Sequence, residues 1–433
     1  MRDRVPFVLR LYRWASTAAA KPFASWLLTQ RIKRGKEDPA RLAERYGQAT
    51  LPRPSGPLIW LHSASVGEIL AIVPLVERLR AMHFAVLVTS GTVTSAALAA
   101  QRLPAGAVHQ FVPLDTPKFV NRFLDHWHPD LALFVESDLW PNLILASSDR
   151  GIPIILINGR VSERSFQRWR LASGGIAALL ERFDLCLTQS NADTQRYARL
   201  GASHITSIGN LKLDVPPPPV DRAILRDLKL SIGPRLVIAA ASTHAGEETA
   251  MIGAHKRLRA KHSSLLTVIA PRHPERGRAV AEMAKAAGLS VAQRSRGEGP
   301  ESGVDIFVVD TMGELGMVYG LAPIVFMGGS LASHGGQNPI EPIRLGAAVV
   351  HGPHVWNFAE IYEALDAARG AQLVADEETL TTCLSAWLTD PTSRTTAADA
   401  AMATVRTLSG ALERTLTALE PYLMQLRLEQ RAS

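Results

Sequence analysis

The chain has 433 residues, 47% hydrophobic and 20% charged, a globular composition too long for one ordinary domain and suited to two α/β domains of about 200 residues each. Its two cysteines, Cys186 and Cys383, fit no metal or disulfide spacing; they read as small hydrophobes in a strand and a helix and point to a reducing, cytoplasmic setting. The net charge of +7 is concentrated in residues 1–36, where nine basic residues face the single acid Asp3, so the remaining 397 residues sum to −1, too close to neutral for a nucleic-acid partner.

The same segment is apolar between its charges. Phe7, Leu9, Leu11, Tyr12, Trp14, Phe23, Trp26 and Leu28 alternate with Arg10, Arg13, Lys21 and Arg31. No uncharged run reaches the roughly 18 residues that span a bilayer, and the broken apolar stretch does not read as a signal peptide. Residues 1–40 are expected to form a basic, aromatic helix lying on an anionic membrane surface, or a helix docked on its own domain.

From residue 57 onward, apolar runs at 57–62, 84–90, 108–113, 131–136, 153–158 and 184–190 alternate with helical stretches such as 69–82 and 118–127. This order predicts a parallel sheet with helices on both faces. Residues 41–213 form this first domain. Four successive prolines at 216–219 suit a stiff connector over 214–221. A second series, with strands at 235–241, 265–271, 305–310, 323–328 and 348–352, fills 222–405. The tail from about 393 to 427 is helical, with 406–433 as its terminal helix. Two doubly wound domains arranged this way make a cleft where two substrates meet.

Chemistry concentrates where strands end. His62-Ser63-Ala64-Ser65-Val66-Gly67-Glu68 follows a strand and opens a helix. Glu68 is either a general base held ionised by the helix dipole or one half of a Ser-x-x-Glu capping box. Glu136-Ser137-Asp138-Leu139-Trp140-Pro141-Asn142 places two acids at another strand-to-helix junction, as hydroxyl or metal ligands or as caps. Lys212, just before the linker, neutralises a phosphate or sugar carboxylate, or is a solvated lysine.

In the second half, residues 270–276 (with Pro271, Arg272, His273 and Arg276) supply cations for a phosphate and for a base or ribose. Thr311-Met312-Gly313-Glu314-Leu315 opens a helix whose N–H groups suit a phosphate. The glycine-rich turn Gly328-Gly329-Ser330 leads through Gly335-Gly336 to Asn338-Pro339-Ile340-Glu341-Pro342, where Glu341 can accept from ribose hydroxyls. Ser242-Thr243-His244-Ala245-Gly246-Glu247-Glu248 is a further lining segment; His244 and His273 fit a structural or a chemical role equally. There is no dinucleotide fingerprint, no P-loop and no His, Cys or carboxylate grouping with metal-site spacing.

Taken in order, these motifs, with Asn158-Gly159-Arg160-Val161-Ser162-Glu163-Arg164-Ser165 between them, closely resemble the bacterial 3-deoxy-D-manno-octulosonic acid (Kdo) transferases over about residues 40 to 420. The resemblance implies a GT-B fold, two Rossmann-like α/β domains with the C-terminal helix returning to the first. It implies an inverting transfer of Kdo from CMP-Kdo to the lipid A precursor (lipid IVA), without cofactor or metal, on the cytoplasmic face of the inner membrane. By the same resemblance Glu68 is the general base, and Glu136 and Lys212 stabilise the transition state. CMP is then held by Pro271, Arg272, Met312, Gly313, Glu314, Asn338, Pro339, Ile340 and Glu341. The chain departs from the family at Glu-Ser-Asp, where Glu-Thr-Glu is usual, and at Asn-Gly-Arg-Val, where Asn-Ala-Arg-Leu is usual; the shortened Asp138 is left out of the site. Other readings are a transferase of another nucleotide sugar, such as a UDP-hexosamine, and a non-catalytic lipopolysaccharide assembly factor.

Overall fold

Every strand pairing is parallel, so each strand must be followed by a crossover, and helices fill those crossovers. The computed structural model describes residues 5–18, 20–214 and 218–432. The chain divides into two units, one of residues up to 215 together with those from 408 onward, the other of residues 216–407. The first carries β1 Leu58–His62, β2 Ala85–Ser90, β3 Ala107–Phe111, β4 Leu131–Val135, β5 Ile154–Gly159, β6 Leu185–Thr188 and β7 Ile205–Ser207, in the order β3-β2-β1-β4-β5-β6-β7. The second carries β8 Val237–Thr243, β9 Leu266–Pro271, β10 Val291–Gln293, β11 Ile306–Val308, β12 Ile324–Met327, β13 Ala348–His351 and β14 Ala371–Leu373, in the order β10-β11-β9-β8-β12-β13-β14. These are the two Rossmann-like sheets expected of the GT-B class.

In the first unit the alternation of β1 divides the core. Leu58 and Trp60 join a layer with Phe123, Trp127, Ile144 and Leu179, while Ile59 and Leu61 face a layer with Ile69, Ile72, Leu75 and Leu79. The second layer is completed by Leu416, Leu419, Leu423 and Leu426 of the C-terminal helix Ala411–Ala432. The terminal helix expected over 406–433 starts at Ala411, after the separate helix Pro391–Leu408. The tail breaks after Leu408 at Gly410, whose φ of 94° suits glycine. The Asp214 carboxylate then accepts from Gly410 N at 2.7 Å and Leu412 N at 2.6 Å. Asp214, expected in the linker, is thus a cap of the last helix. Of that linker, residues 215–217 lie outside the described residues.

The N-terminal segment packs into the first unit. Leu9 is buried in its core and Tyr12 Oη donates to Asp115 Oδ2 at 3.0 Å. Residues 1–4 and 19 of that segment lie outside the described residues. The junction behind it is held by buried charge. Arg45 is 3% and Glu37 6% exposed, and they meet in a two-point contact at 3.0 Å each. Arg45 also donates to Val112 O and Gly91 O, and Arg31 adds a second cation to Glu37 at 2.5 Å. Removing one partner of such a pair strands a buried charge, which typically costs about 3–5 kcal/mol. Arg45→Met is therefore expected to lower unfolding free energy by about 3 kcal/mol or more in urea denaturation; a loss below 1 kcal/mol, on the scale of an exposed pair, would contradict the burial argument.

Candidate active site

The strand order reverses direction beside β1 in the first sheet and beside β8 in the second. In open α/β sheets ligands bind outside the carboxyl ends of strands at such switch points. Each unit carries its candidate residues there.

In the first unit, Ser65 is the N-cap of helix Val66–Ala81, accepting from Glu68 N at 3.3 Å. The Glu68 carboxylate turns back: Oε1 accepts from Ser65 Oγ at 2.7 Å and Oε2 from Ala64 N at 2.8 Å. Capping is thus real, but each oxygen keeps a lone pair. The helix start was expected to hold this carboxylate ionised. Burial outweighs the cap: desolvation, then the charges of Glu136 and Asp138, raises Glu68 above the usual carboxylate range despite the opposing hydrogen bonds from Ser65 and Ala64. A carboxylate raised this way is a stronger base once ionised.

Glu136 follows β4 with φ 59°, a left-handed conformation fixed by Glu136 N to Ile157 O and by Tyr197 Oη, which donates to Glu136 O at 3.0 Å. Non-glycine residues in this region concentrate at functional sites. Lys212 sits in the short 3₁₀ turn Leu211–Leu213, set by Asn158 Oδ1, which accepts from Leu211 N, and by Asn210 Oδ1, which accepts from Lys212 N. Lys212 Nζ reaches Glu136 Oε1 at 2.6 Å, as an ion pair without hydrogen-bond alignment. The same amine lies 3.9 Å from where a Cβ on Gly67 would stand. Glu68, Glu136 and Lys212 therefore share one site.

Asp138, left out on length, belongs to this site. Its Oδ2 bonds His62 Nε2 at 3.0 Å, and His62 Nδ1 lies 3.0 Å from Thr89 Oγ1, which also accepts from Trp60 Nε1. Burial pushes the Asp138 carboxyl up, yet the hydrogen bond and charge of His62 bring it below its ordinary value. An ionised carboxylate only accepts, which assigns the Nε2 proton to His62. The sequence signal was available, since acids two residues apart beyond a strand can both turn to its carboxyl end.

In the second unit, Pro271 closes β9 and Arg272 is exposed, with its N–H donated to Thr243 O. Arg276, expected as another free cation, is instead paired to the fully buried Glu248 at 3.3 Å. Met312 is 82% exposed and Gly313 has φ 82°. The helix they precede, Leu315–Leu321, is only 7 residues long. Glu314 is bound by Arg294 at 2.8 Å and by the Thr311 hydroxyl, which hold it below its usual range. Asn338 Oδ1 accepts from Ile340 N at 3.1 Å and its amide faces Glu341 Oε1 at 3.4 Å. Pro339 precedes helix Ile340–Arg344, in which Ile340 is buried. Glu341 and Arg272 both act on the buried Tyr319 phenol, which desolvation pushes far up. Among the described residues no three His, Cys, Asp or Glu side chains gather as a metal site.

The family model described as “3-Deoxy-D-manno-octulosonic-acid transferase (kdotransferase)” matches residues 40–215. The 3-deoxy-D-manno-octulosonic acid transferase of Haemophilus influenzae is 35% identical over 395 residues, covering 88% of this chain and 91% of that protein. The Bordetella pertussis enzyme of the same name is 34% identical over 390 residues, covering 88% and 91%. The chain belongs to the Kdo transferase family. A glycosyltransferase from Rickettsia africae shares the fold at a TM-score of 0.58 and 12% identity, over 86% of this chain and 99% of that one. This Kdo transferase is accordingly a glycosyltransferase of lipopolysaccharide synthesis, and a purely structural assembly role is set aside.

The Glu136–Lys212 pair makes its own test. The two side chains are 17% and 28% exposed, between the surface and buried limits. A double-mutant cycle of Glu136→Gln and Lys212→Met should give a coupling of about 1–2 kcal/mol in unfolding free energy. Additive losses would show that the contact contributes nothing.

Proposed function

We propose that this Kdo transferase moves Kdo from CMP-Kdo to lipid IVA with inversion, the first unit binding the acceptor and the second the nucleotide sugar. The observation that carries the reading is Glu68, a carboxylate with free lone pairs whose proton affinity is raised by burial and two neighbouring acids. The acceptor hydroxyl oxygen attacks the anomeric carbon while its proton passes to Glu68. The bond from that carbon to the phosphate oxygen breaks, and its electron pair leaves with CMP. Lys212 holds Glu136 by their ion pair beside the reacting centre, where positive charge develops, and Arg272 meets the phosphate as it gains charge. Pro271, the 312–314 loop and the 338–341 turn hold the rest of CMP. The mechanism uses side chains of the chain alone, with no cofactor or metal.

Glu68→Gln keeps shape and capping but not basicity. It should fold, bind CMP as the wild type does and lose about 10²–10⁴ in transfer rate; a loss near 1 kcal/mol of stability with turnover intact would leave Glu68 as a cap alone. Its direction of shift also sets a pH dependence. The base acts only when ionised, so a raised pKa moves the acid limb of turnover to higher pH than an ordinary glutamate gives. Asp138→Asn removes one of the charges that raise it, and the acid limb should move to lower pH. An unmoved or raised limb in that variant would contradict the assignment.

The reading also places the protein on the cytoplasmic face of the inner membrane. Helix Phe7–Ala18 docks by Leu9 yet leaves Phe7, Leu11 and Trp14 outward, and Trp26 is exposed as well. Among the described residues no helix is long and apolar enough to cross a membrane. Of the cations near the end of this segment, Arg31 is engaged by Glu37 and Gly91 O, so Lys33, Arg34 and Lys36 remain for lipid phosphates, each worth roughly 1 kcal/mol near an anionic surface. Phe7→Glu with Trp14→Glu should release the protein from anionic liposomes, measured by co-sedimentation at low and high salt. Unchanged sedimentation would refute this surface.

A further inference from the structure

Three histidines of the second unit meet at its switch point, outside the residues placed on CMP. His244 follows β8, His334 lies in the loop beyond β12, and His273 adjoins Arg272 beyond β9. The His244 and His334 rings stack at 4.0 Å between centroids and 17° between planes, and His273 meets His244 edge-on at 5.9 Å. Gly329 passes beneath them with φ 69°; a Cβ there would lie 3.4 Å from His244 Cδ2 and 3.5 Å from His334 Cβ.

The loops bearing two of these rings are clamped by one carboxylate. Glu247 is 2% exposed. It accepts from the backbone N–H groups of His244 and Gly329 on Oε2 and of Ser330, Leu331 and Ala332 on Oε1, at 2.8–3.1 Å. Five backbone donors occupy its lone pairs, so it fixes the loops without serving as a hydrogen-bonding partner of the imidazoles. His244 Nε2 is buried without a hydrogen-bond partner. Burial and the neighbouring His334, His273 and Arg272 push His244 down against the opposing charge of Glu247, and the exposed Glu275 carboxylate stands 3.8 Å from His273 Nδ1.

We propose that His244, His273 and His334 form a carboxylate subsite for the acid group of the donor sugar, beside the phosphate subsite at Arg272. The inference rests on the donor being CMP-Kdo. In that compound the carboxylate and the phosphate oxygen are both attached to the anomeric carbon. Their two subsites must therefore adjoin, as His273 and His244 adjoin Arg272. Imidazoles suit the task because each ring can donate an N–H to a carboxylate oxygen. A neutral-sugar donor has no group for this subsite.

The test is steady-state transfer by the full chain with CMP-Kdo, together with calorimetric binding of CMP. His334→Ala alters an exposed side chain, and His244→Gln keeps volume while removing the titratable nitrogen. Each should raise the KM for CMP-Kdo about 10- to 100-fold, the scale of a charge-assisted hydrogen bond, with CMP affinity unchanged. A wild-type protein that neither binds CMP nor transfers Kdo would defeat the donor assignment itself. With an active wild type, unaltered KM in both folded variants overturns the subsite. An equal fall in CMP affinity also overturns it, since the histidines would then hold the nucleotide phosphate.

Discussion

A parallel strand cannot be joined to its neighbour by a tight turn, and this single constraint organises both units. Crossovers first run to one side of the starting strand and then to the other, so the loops after β1 and β4, and after β8 and β12, diverge and leave room at the carboxyl edge. Each starting strand delivers a glutamate into that room at the head of the next helix, Glu68 after β1 and Glu247 after β8. Similar placement, in the first turn of the helix after the starting strand, leads to different surroundings. Glu247 receives five backbone N–H groups and becomes a fixed clamp. Glu68 receives one backbone N–H and one hydroxyl, beside two other acids, and its carboxyl is raised above the usual range, the property the proposed base role uses.

The electrostatics of the first unit follow from dividing three carboxylates among different partners. Glu136 has a cation in Lys212, Asp138 has the His62 imidazole, and Glu68 has neither. Burial then acts unequally. It lifts the uncompensated acid and is overcome at the one bonded to histidine. Separation of neighbouring carboxylates into different protonation behaviour is how one site supplies both a base and fixed charge.

The proposed membrane attachment and the packing of the first unit share the same short segment. The inner side of helix Phe7–Ala18 serves the core through Leu9 and reaches Asp115 through Tyr12, while its outer side carries Phe7, Leu11 and Trp14. Asp115 in turn accepts from Asn142 N and Leu143 N at the start of helix Pro141–Asp149, which follows the Glu136 and Asp138 loop. The proposed lipid-facing helix and the acid loop are therefore joined by one buried carboxylate, whose pKa burial raises to about 6.

Uniformly apolar runs separated by helical stretches were legible without coordinates, because buried parallel strands have no polar face to hide them. The strands not foreseen, β7, β10 and β14, are three-residue strands at sheet edges, too short to show a period. Motif order alone identified the family and brought Glu68, Glu136 and Lys212 to notice. What it left open was the state of those residues. Whether Glu68 is a cap or a base depends on desolvation and on acids 68 and 70 residues away in the chain, and local spacing contains neither. The same holds for Arg276 and Arg31, which read as free cations until their buried partners Glu248 and Glu37 were seen. Asp138 gained its place from His62, 76 residues earlier. Periodicity and motif order are properties of neighbouring residues, so the sequence determined elements and family; charge, protonation and pairing depend on distances through space, and only the tertiary structure decided them.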